Sequence, residues 1–205
     1  MPLQNRVLPT GEIVIDPARG GLTGNRGIIH RPDKTLGVAR WSHKAWICCT
    51  LDWQGRRRSV MTGRNWTELF FLDEVTALAA GHRPCGYCRR QAYLDFVAAW
   101  TRGSGTRPKA PMMDKALHAA RVNGRNRTQI RHQARAEHLP DGVMALHDDA
   151  PHLLWNGQLI PYTTTGYAPA HSSEARDSLT VLTPVPTISV LRHGYAPQVH
   201  PSAGL

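Results

Sequence analysis

The sequence predicts an α+β protein in which a small zinc-stapled module of β-hairpin and helix is followed by a short helical basic segment and an antiparallel β-meander. Three observations lead there. Cys85 and Cys88 sit in the run GHRPCGYCRR, directly after a short apolar stretch with helix start and stop signals. Tyr93, Phe96, Val97 and Trp100 recur at i, i+3, i+4 and i+7, the spacing of a helix that buries one stripe. Beyond Pro140 the period changes to that of strands: VMALH, HLLW and QLIPY are separated by DDAP and by Asn156-Gly157, a strong two-residue hairpin signal.

Taken in order, residues 1–40 are rich in Gly, Pro and Arg without apolar periodicity, and read as extended segments and turns, with GLTGNRGIIH as loop followed by strand. WICCTLDW, from Trp46 to Trp53, reads as a buried strand, with a bend at Gln54-Gly55 and RRRSVM returning as its hairpin partner. Asp73 is a fitting N-cap for a helix over EVTALAA, and Gly81 stands where a left-handed residue would close it. A second helix follows Cys88. Residues 102–111 have linker composition, and a third helix spans Asp114 to Arg121. After the meander, SLTVLT adds a strand and PTISVLRHGY a short helix opened by Pro186. The chain thus divides into a metal-binding module with its N-terminal wrap (1–101), a linker and basic helical segment (102–139) and a small β-rich region (140–205).

The 205 residues are 41% hydrophobic and 20% charged, which is the composition of a folded chain. Lys and Arg total 25 against 15 Asp and Glu, a net charge of +10 that favours a polyanionic partner: nucleic acid, with DNA ahead of RNA. The start MPLQNRVLPT has no apolar signal core, and nowhere do eighteen apolar residues run together, so a cytoplasmic location with no membrane partner is expected. Four cysteines in a chain of this length then read as metal ligands or reactive thiols, not as a disulfide framework.

Two thiolates separated by two residues reach one ion from a tight turn, and tetrahedral zinc needs two further Cys or His ligands. No thioredoxin-like βαβ pattern surrounds the pair, which weighs against a redox dithiol. The remaining candidates are Cys48, Cys49, His30, His43 and His82. On a strand, Cys48 and Cys49 point to opposite faces, so one of them reaches the ion, and Cys49 is preferred. His30 ends the apolar run GIIH just before Arg31-Pro32, where a turn would present it. The expected ligand set for Zn2+ is therefore Cys85, Cys88, Cys49 and His30. A non-ligating Cys48 near arginines would be a thiol with lowered pKa.

The stretch FFLDEVTALAAGHRPCGYCRR resembles the end of the Ada-type metal-binding module of bacterial alkylation-repair proteins and its stand-alone relatives. There a short helix leads into a Pro-Cys-x-x-Cys turn. GNRGIIHRPD is similar to the segment in which those relatives supply the other two ligands as His-x-x-x-Cys. By position, Cys85, Cys88 and His30 match; Lys34 stands where the family has a Cys, and Cys49 is the proposed replacement. The resemblance covers roughly 60 residues. It implies DNA binding with a role in repair, and by analogy with the family's methyl-accepting cysteine it would give Cys49 that role. The chain also resembles uncharacterised bacterial proteins that share WTELFFLDE and the GHRPC turn. PCGYCRRQAYLDF is further similar to the PCGxCRQ segment of cytidine deaminases, with Cys49 lying 36 residues before Cys85. That family places a proton-shuttling Glu two residues after its upstream ligand, whereas Thr50 and Leu51 occupy the corresponding positions here.

Positive charge falls in three blocks: Arg56, Arg57 and Arg58 with Arg64; Arg83, Arg89 and Arg90 around the metal turn; and Arg121 to Arg135, including Arg125, Arg127 and Arg131. Such groups suit phosphate contact, which supplies affinity and salt dependence more than sequence preference. Asp114, His118 and Arg121 would share one helix face, from which a metal-dependent enzyme acting on nucleic acid or nucleotides, nuclease or deaminase-like, could be built.

Overall fold

The structure, a computed structural model, describes residues 1–55, 60–61, 66–170 and 178–205. Among them are four α-helices and two six-stranded sheets, an α+β architecture. The first sheet contains β1 (Gln4–Val7), β2 (Ile13–Ile15), β3 (Leu22–Asn25), β4 (Ile47–Thr50), β5 (Leu69–Phe71) and β6 (Arg83–Pro84), in the order β2-β1-β5-β3-β4-β6. Most of its pairs are antiparallel; β1 with β5 and β4 with β6 are parallel. The GLTGNRGIIH reading is inverted by this sheet. Its strand lies at Leu22–Asn25, and the portion expected to be a strand is loop, touching Leu36 through one isolated bridge at His30.

Side-chain alternation makes the two faces of this sheet different. Cys48, Gly24 and Leu69 form one row across β4, β3 and β5, and Cys49, Thr23 and Phe70 form the next. Cys48 and Leu69 are fully buried, while Cys49, Thr23 and Phe70 stay partly open. Gly24 is required in the buried row, because a Cβ there would fall 2.3 Å from the Ile47 carbonyl oxygen and 2.9 Å from the Phe71 ring. The expected return strand RRRSVM begins at residues that lie outside the described ones; β4 instead pairs with β3 and β6.

Against the buried face lies α1 (Glu74–Ala79), which has no exposed residue. Its start is set as expected: the Asp73 carboxylate accepts from the Thr76 amide at 3.0 Å and from the Thr76 hydroxyl at 2.7 Å. Gly81 then adopts φ +85°, where a Cβ would also strike the Arg121 side chain at 2.3 Å, so glycine is demanded twice over. Ala77 and Ala80 pack with Val7, Leu22, Cys48 and Phe71 of the first sheet, whereas Val75 and Ala79 pack with Met144, Leu153 and Ile160 of the second. One short apolar helix is thus shared by two sheets.

That second sheet holds β7 (His132–Arg135), β8 (Val143–His147), β9 (Ala150–Trp155), β10 (Gln158–Thr163), β11 (Gly166–Tyr167) and β12 (Ser178–Val181), in the order β11-β10-β9-β8-β12-β7 and antiparallel throughout. The meander β8-β9-β10 forms as its turn residues predict, with Asn156 and Gly157 at φ 48° and 71°. α2 (Arg90–Ser104) buries Phe96 and Val97 against Met113 of α3 (Ala110–Arg121) and Ile188 and Leu191 of α4 (Val185–Arg192). The arginine-rich stretch after α3, expected to be helical, is a tight turn followed by β7 and a single 3-10 turn. Its Gln133 and Arg135 alternate outward with half-buried neighbours, a strand period that the dense charge obscured. No helix among the described residues is long and apolar enough to cross a membrane.

Candidate metal centre

Three cysteines from two distant segments meet on the partly open face of the first sheet. Cys49 is carried by β4, Cys85 directly follows β6, and Cys88 closes the turn that starts α2; their sulfurs all lie within 4.8 Å of one another. The parallel pairing of β4 with β6 is what brings the segments together, and it continues through a hydrogen bond from the Cys85 amide to the Cys48 carbonyl at 3.0 Å. The turn is tightened by the Tyr87 amide, 3.4 Å from the Cys85 sulfur.

The electrostatics favour a cation. Hydrogen bonds from Cys49 and Cys88 hold the Cys85 thiol far below its usual range, and the same network, reinforced by burial, pushes Cys49 far up. The arrangement is that of one thiolate, Cys85, held by two neighbouring thiols that a cation would deprotonate in turn. Zinc–sulfur bonds of roughly 2.3 Å at tetrahedral angles would separate the sulfurs by about 3.8 Å, a spacing compatible with this cluster. The three cysteines could therefore hold a metal ion.

His30 is not brought to this group. Its Nε2 lies 2.8 Å from the Gln4 carbonyl and its Nδ1 3.3 Å from the Thr67 hydroxyl, so both ring nitrogens are engaged in tying β1 to the loop before β5. Burial lowers its pKa, as expected for a neutral structural imidazole. Its position at the end of an apolar run suggested a ligand; the same position suits a residue that joins strands. Cys48 also departs from expectation. It is fully buried on the opposite face, and burial followed by the charge of Glu74 pushes its pKa up to about 12, although Arg89 donates to its sulfur at 3.2 Å. Desolvation outweighs the arginine, and the thiol stays protonated.

Two arginines expected at a phosphate surface point inward. Arg83 makes a bidentate pair with Asp114 at 2.8 and 2.9 Å, and Arg89 makes another with Glu74 at 2.8 Å on both arms. Glu74 also accepts from Tyr195 Oη and the Gln198 amide, so Arg89 fastens the metal turn to α1 and the C-terminal tail. A carboxylate within reach of each guanidinium, brought there by the tertiary fold, overrides the expectation drawn from their place beside the cysteines. Arg90, Arg125, Arg127 and Arg131 are exposed. Arg56, Arg57, Arg58 and Arg64 lie outside the described residues. Of the residues expected on one face of α3, Asp114 is paired with Arg83, and Arg121 Nη2 lies 3.1 Å from His118 Nδ1.

Beside the sulfurs is a hollow of about 400 Å³ walled by Ile47, Trp53, Trp66, Phe70 and Tyr87, with Glu68 on its lining. The Trp53 and Tyr87 rings are 5.4 Å apart, and Glu68 accepts from the Met61 amide at 2.8 Å. Sequence reasoning missed Glu68. The signal lay in the alternation of Glu68 and Phe70 against the buried Leu69 and Phe71, which puts the carboxylate on the face that carries Cys49. No known protein family, curated protein or solved structure matches this chain.

Proposed function

We propose that this chain is a zinc-stabilised nucleic-acid-binding protein, with DNA as the favoured partner and repair or processing of nucleic acid as its role. The observation that carries the reading is the convergence of Cys49, Cys85 and Cys88 on one point. In this reading the three thiolates hold Zn2+ and staple β4, the metal turn and the start of α2 into a hairpin and helix module. A bound ion would supply Lewis acidity at a fourth position not filled by the described residues. Arg90 opens α2 two residues after Cys88 and faces solvent, where it can meet a phosphate. The aromatic walls of the adjoining hollow suit the face of an unpaired base. All four cysteines are free thiols, which fits a reducing cytoplasmic compartment.

A second reading, a metal-dependent enzyme acting on a nucleotide or nucleobase, is favoured by one feature: Glu68 lines the same hollow as the three sulfurs. It would hold or deliver a proton there, the task that residues 50 and 51 cannot perform.

Metal analysis together with binding to an arbitrary duplex and single strand tests both readings. The first expects about one zinc per chain, lost in Cys85→Ser, and binding at about 50 mM salt that weakens steeply as salt rises. No binding at low salt overturns it. Turnover of nucleotides that vanishes in Glu68→Gln, at unchanged zinc content, would establish the second.

A further inference from the structure

Among the described residues, the buried arginines Arg6, Arg26 and Arg121 have no carboxylate within ion-pair distance, and the last two share one aromatic ring. Arg26 and Arg121 are 2% and 1% exposed, and both guanidinium groups lie against the Trp46 ring, 4.1 and 3.7 Å from its centroid. Arg26 donates one hydrogen bond, from Nη1 to the Gly11 carbonyl at 3.1 Å, while its Nε and Nη2 are buried without an acceptor. Arg121 is anchored by the Gly81 and Lys44 carbonyls, but its Nε is likewise without one. An unmatched buried cation is costly, and here two lie against one indole ring. Burial is the first cause of a weakened hold on the proton in both, followed by Arg40 for Arg26 and by Arg26 for Arg121, which takes Arg26 to about 9 and Arg121 to about 8. The neighbouring ion pairs Arg83–Asp114 and Arg89–Glu74 show that this fold supplies carboxylates to buried arginines elsewhere.

Arg26 and Arg121 line a cavity of about 370 Å³, whose rim carries Arg40, Arg127 and Arg131. The one carboxylate on its lining, Glu12, accepts from the Thr10 hydroxyl at 2.9 Å. The rim is held in place. Arg127 sits at φ +60° in the turn closed by the Val122–Gln129 bridge, and its Nη1 donates to the Val38 carbonyl at 2.9 Å. Arg40 and Arg127 are shared with a second hollow that also reaches Arg31, so the basic lining continues outward from the cavity as a track. Gln129 adds an orphan of opposite kind: its amide nitrogen donates to backbone carbonyls, while its Oε1 is buried without a donor. Buried donors and a buried acceptor in one cavity match an oxyanion next to a hydroxyl.

We propose that this cavity binds a phosphate group, received by Arg26 and Arg121 at its floor and by Arg40, Arg127 and Arg131 at its rim. Its source is the phosphorylated end of a nucleic-acid strand, whose next phosphates follow the track and whose sugar hydroxyl meets Gln129. The choice of a strand over free phosphate deepens the nucleic-acid reading above; the phosphate site itself stands without it and does not involve the cysteines.

Calorimetric and thermal-shift titration with inorganic phosphate at constant ionic strength, with chloride as control, tests the site. Phosphate is expected to bind and raise Tm, and Arg26→Met to weaken the affinity about tenfold, the worth of one charge-assisted hydrogen bond. Arg131→Ala, at an exposed rim position, checks the same loss should the core variant fail to fold. Anisotropy with a 5′-phosphorylated and a 5′-hydroxyl oligonucleotide of one sequence then identifies the source. Preference for the phosphorylated end supports the strand; phosphate binding with no end preference keeps the site and overturns its assignment to a strand. No response to phosphate beyond chloride, together with equal binding of both oligonucleotides, overturns the proposal, whatever the zinc content or duplex affinity.

Discussion

The thiol triad and the arginine cavity are built from the same short run of chain, on opposite sides of it, with opposite charge. Cys49 leaves β4 toward the partly open face, where three sulfurs gather without a cation among the described residues. Trp46, just before that strand, turns into the core and carries two guanidinium groups that lack an anion. The side-chain period of an extended chain places these two features apart. The difference teaches what each site asks for. Sulfurs that share protons with one another have a substitute for the missing charge, whereas arginines cannot relieve theirs by sharing and must be matched from outside.

The comparison can be broken first at the triad. If the triad holds zinc as proposed, Cys85→Ser should abolish metal binding and destabilise the protein by up to about 10 kcal/mol, measured as metal per chain and as urea midpoint. Retention of full metal content would mean that the three sulfurs are not the ligands. Next in size is Asp114→Ala. It leaves Arg83 buried without its carboxylate and should cost about 3–5 kcal/mol by chemical denaturation. Arg26→Met supplies the contrast, because it removes a buried charge that has no partner to lose. Without phosphate it should change stability by less than about 1 kcal/mol or raise it. A loss as large as that of Asp114→Ala would show that Arg26 is already compensated.

The smallest effect concerns pH. His82 is fully buried between Phe71 and Trp46, with ring centroids 4.6 and 5.2 Å away, and burial followed by Arg26 and Arg121 drives its pKa well below the usual value. It folds as the neutral form. Its contribution to stability is therefore complete above its unfolded pKa of about 6.5 and is lost as pH falls below that value, by up to about 1.4 kcal/mol per pH unit. In His82→Phe the fall of stability between pH 6.5 and 5, two values chosen around the imidazole range, should be shallower. An unchanged slope would assign the acid sensitivity to His30, His118 and His132, whose pKa values burial also lowers.

Much of the local structure was legible in the residues alone. Asp73 and Gly81 bounded α1, the Tyr93, Phe96, Val97 and Trp100 stripe marked α2, and Asn156-Gly157 set the turn of the meander. Each signal acts over a few residues, through a cap, a period or a dihedral angle. That one of Cys48 and Cys49, and not both, would join Cys85 and Cys88 followed from strand alternation, which is equally local.

Other features were settled by contacts that no short window contains. The strand at Leu22–Asn25 was obscured because Gly24, a poor strand former, is demanded by Phe71 and by the backbone of Ile47 across the sheet. Glu68 joined the cysteine face through pairing of β5 with β3. Which arginines meet a carboxylate was decided by the tertiary fold: Asp114 reaches Arg83 from 31 residues away and Glu74 reaches Arg89 from 15, while Arg26 and Arg121 meet Trp46 and backbone carbonyls, with His118 beside Arg121. By itself the sequence determined α1 and α2, the meander, the strand bearing Cys49 and the excess of positive charge, because these depend on neighbours along the chain and on composition. Only the tertiary structure decided that Cys49 meets Cys85 and Cys88, that His30 ties β1 to the loop before β5, and that Arg26 and Arg121 are buried against Trp46 without a carboxylate, because each depends on contacts between segments far apart in sequence.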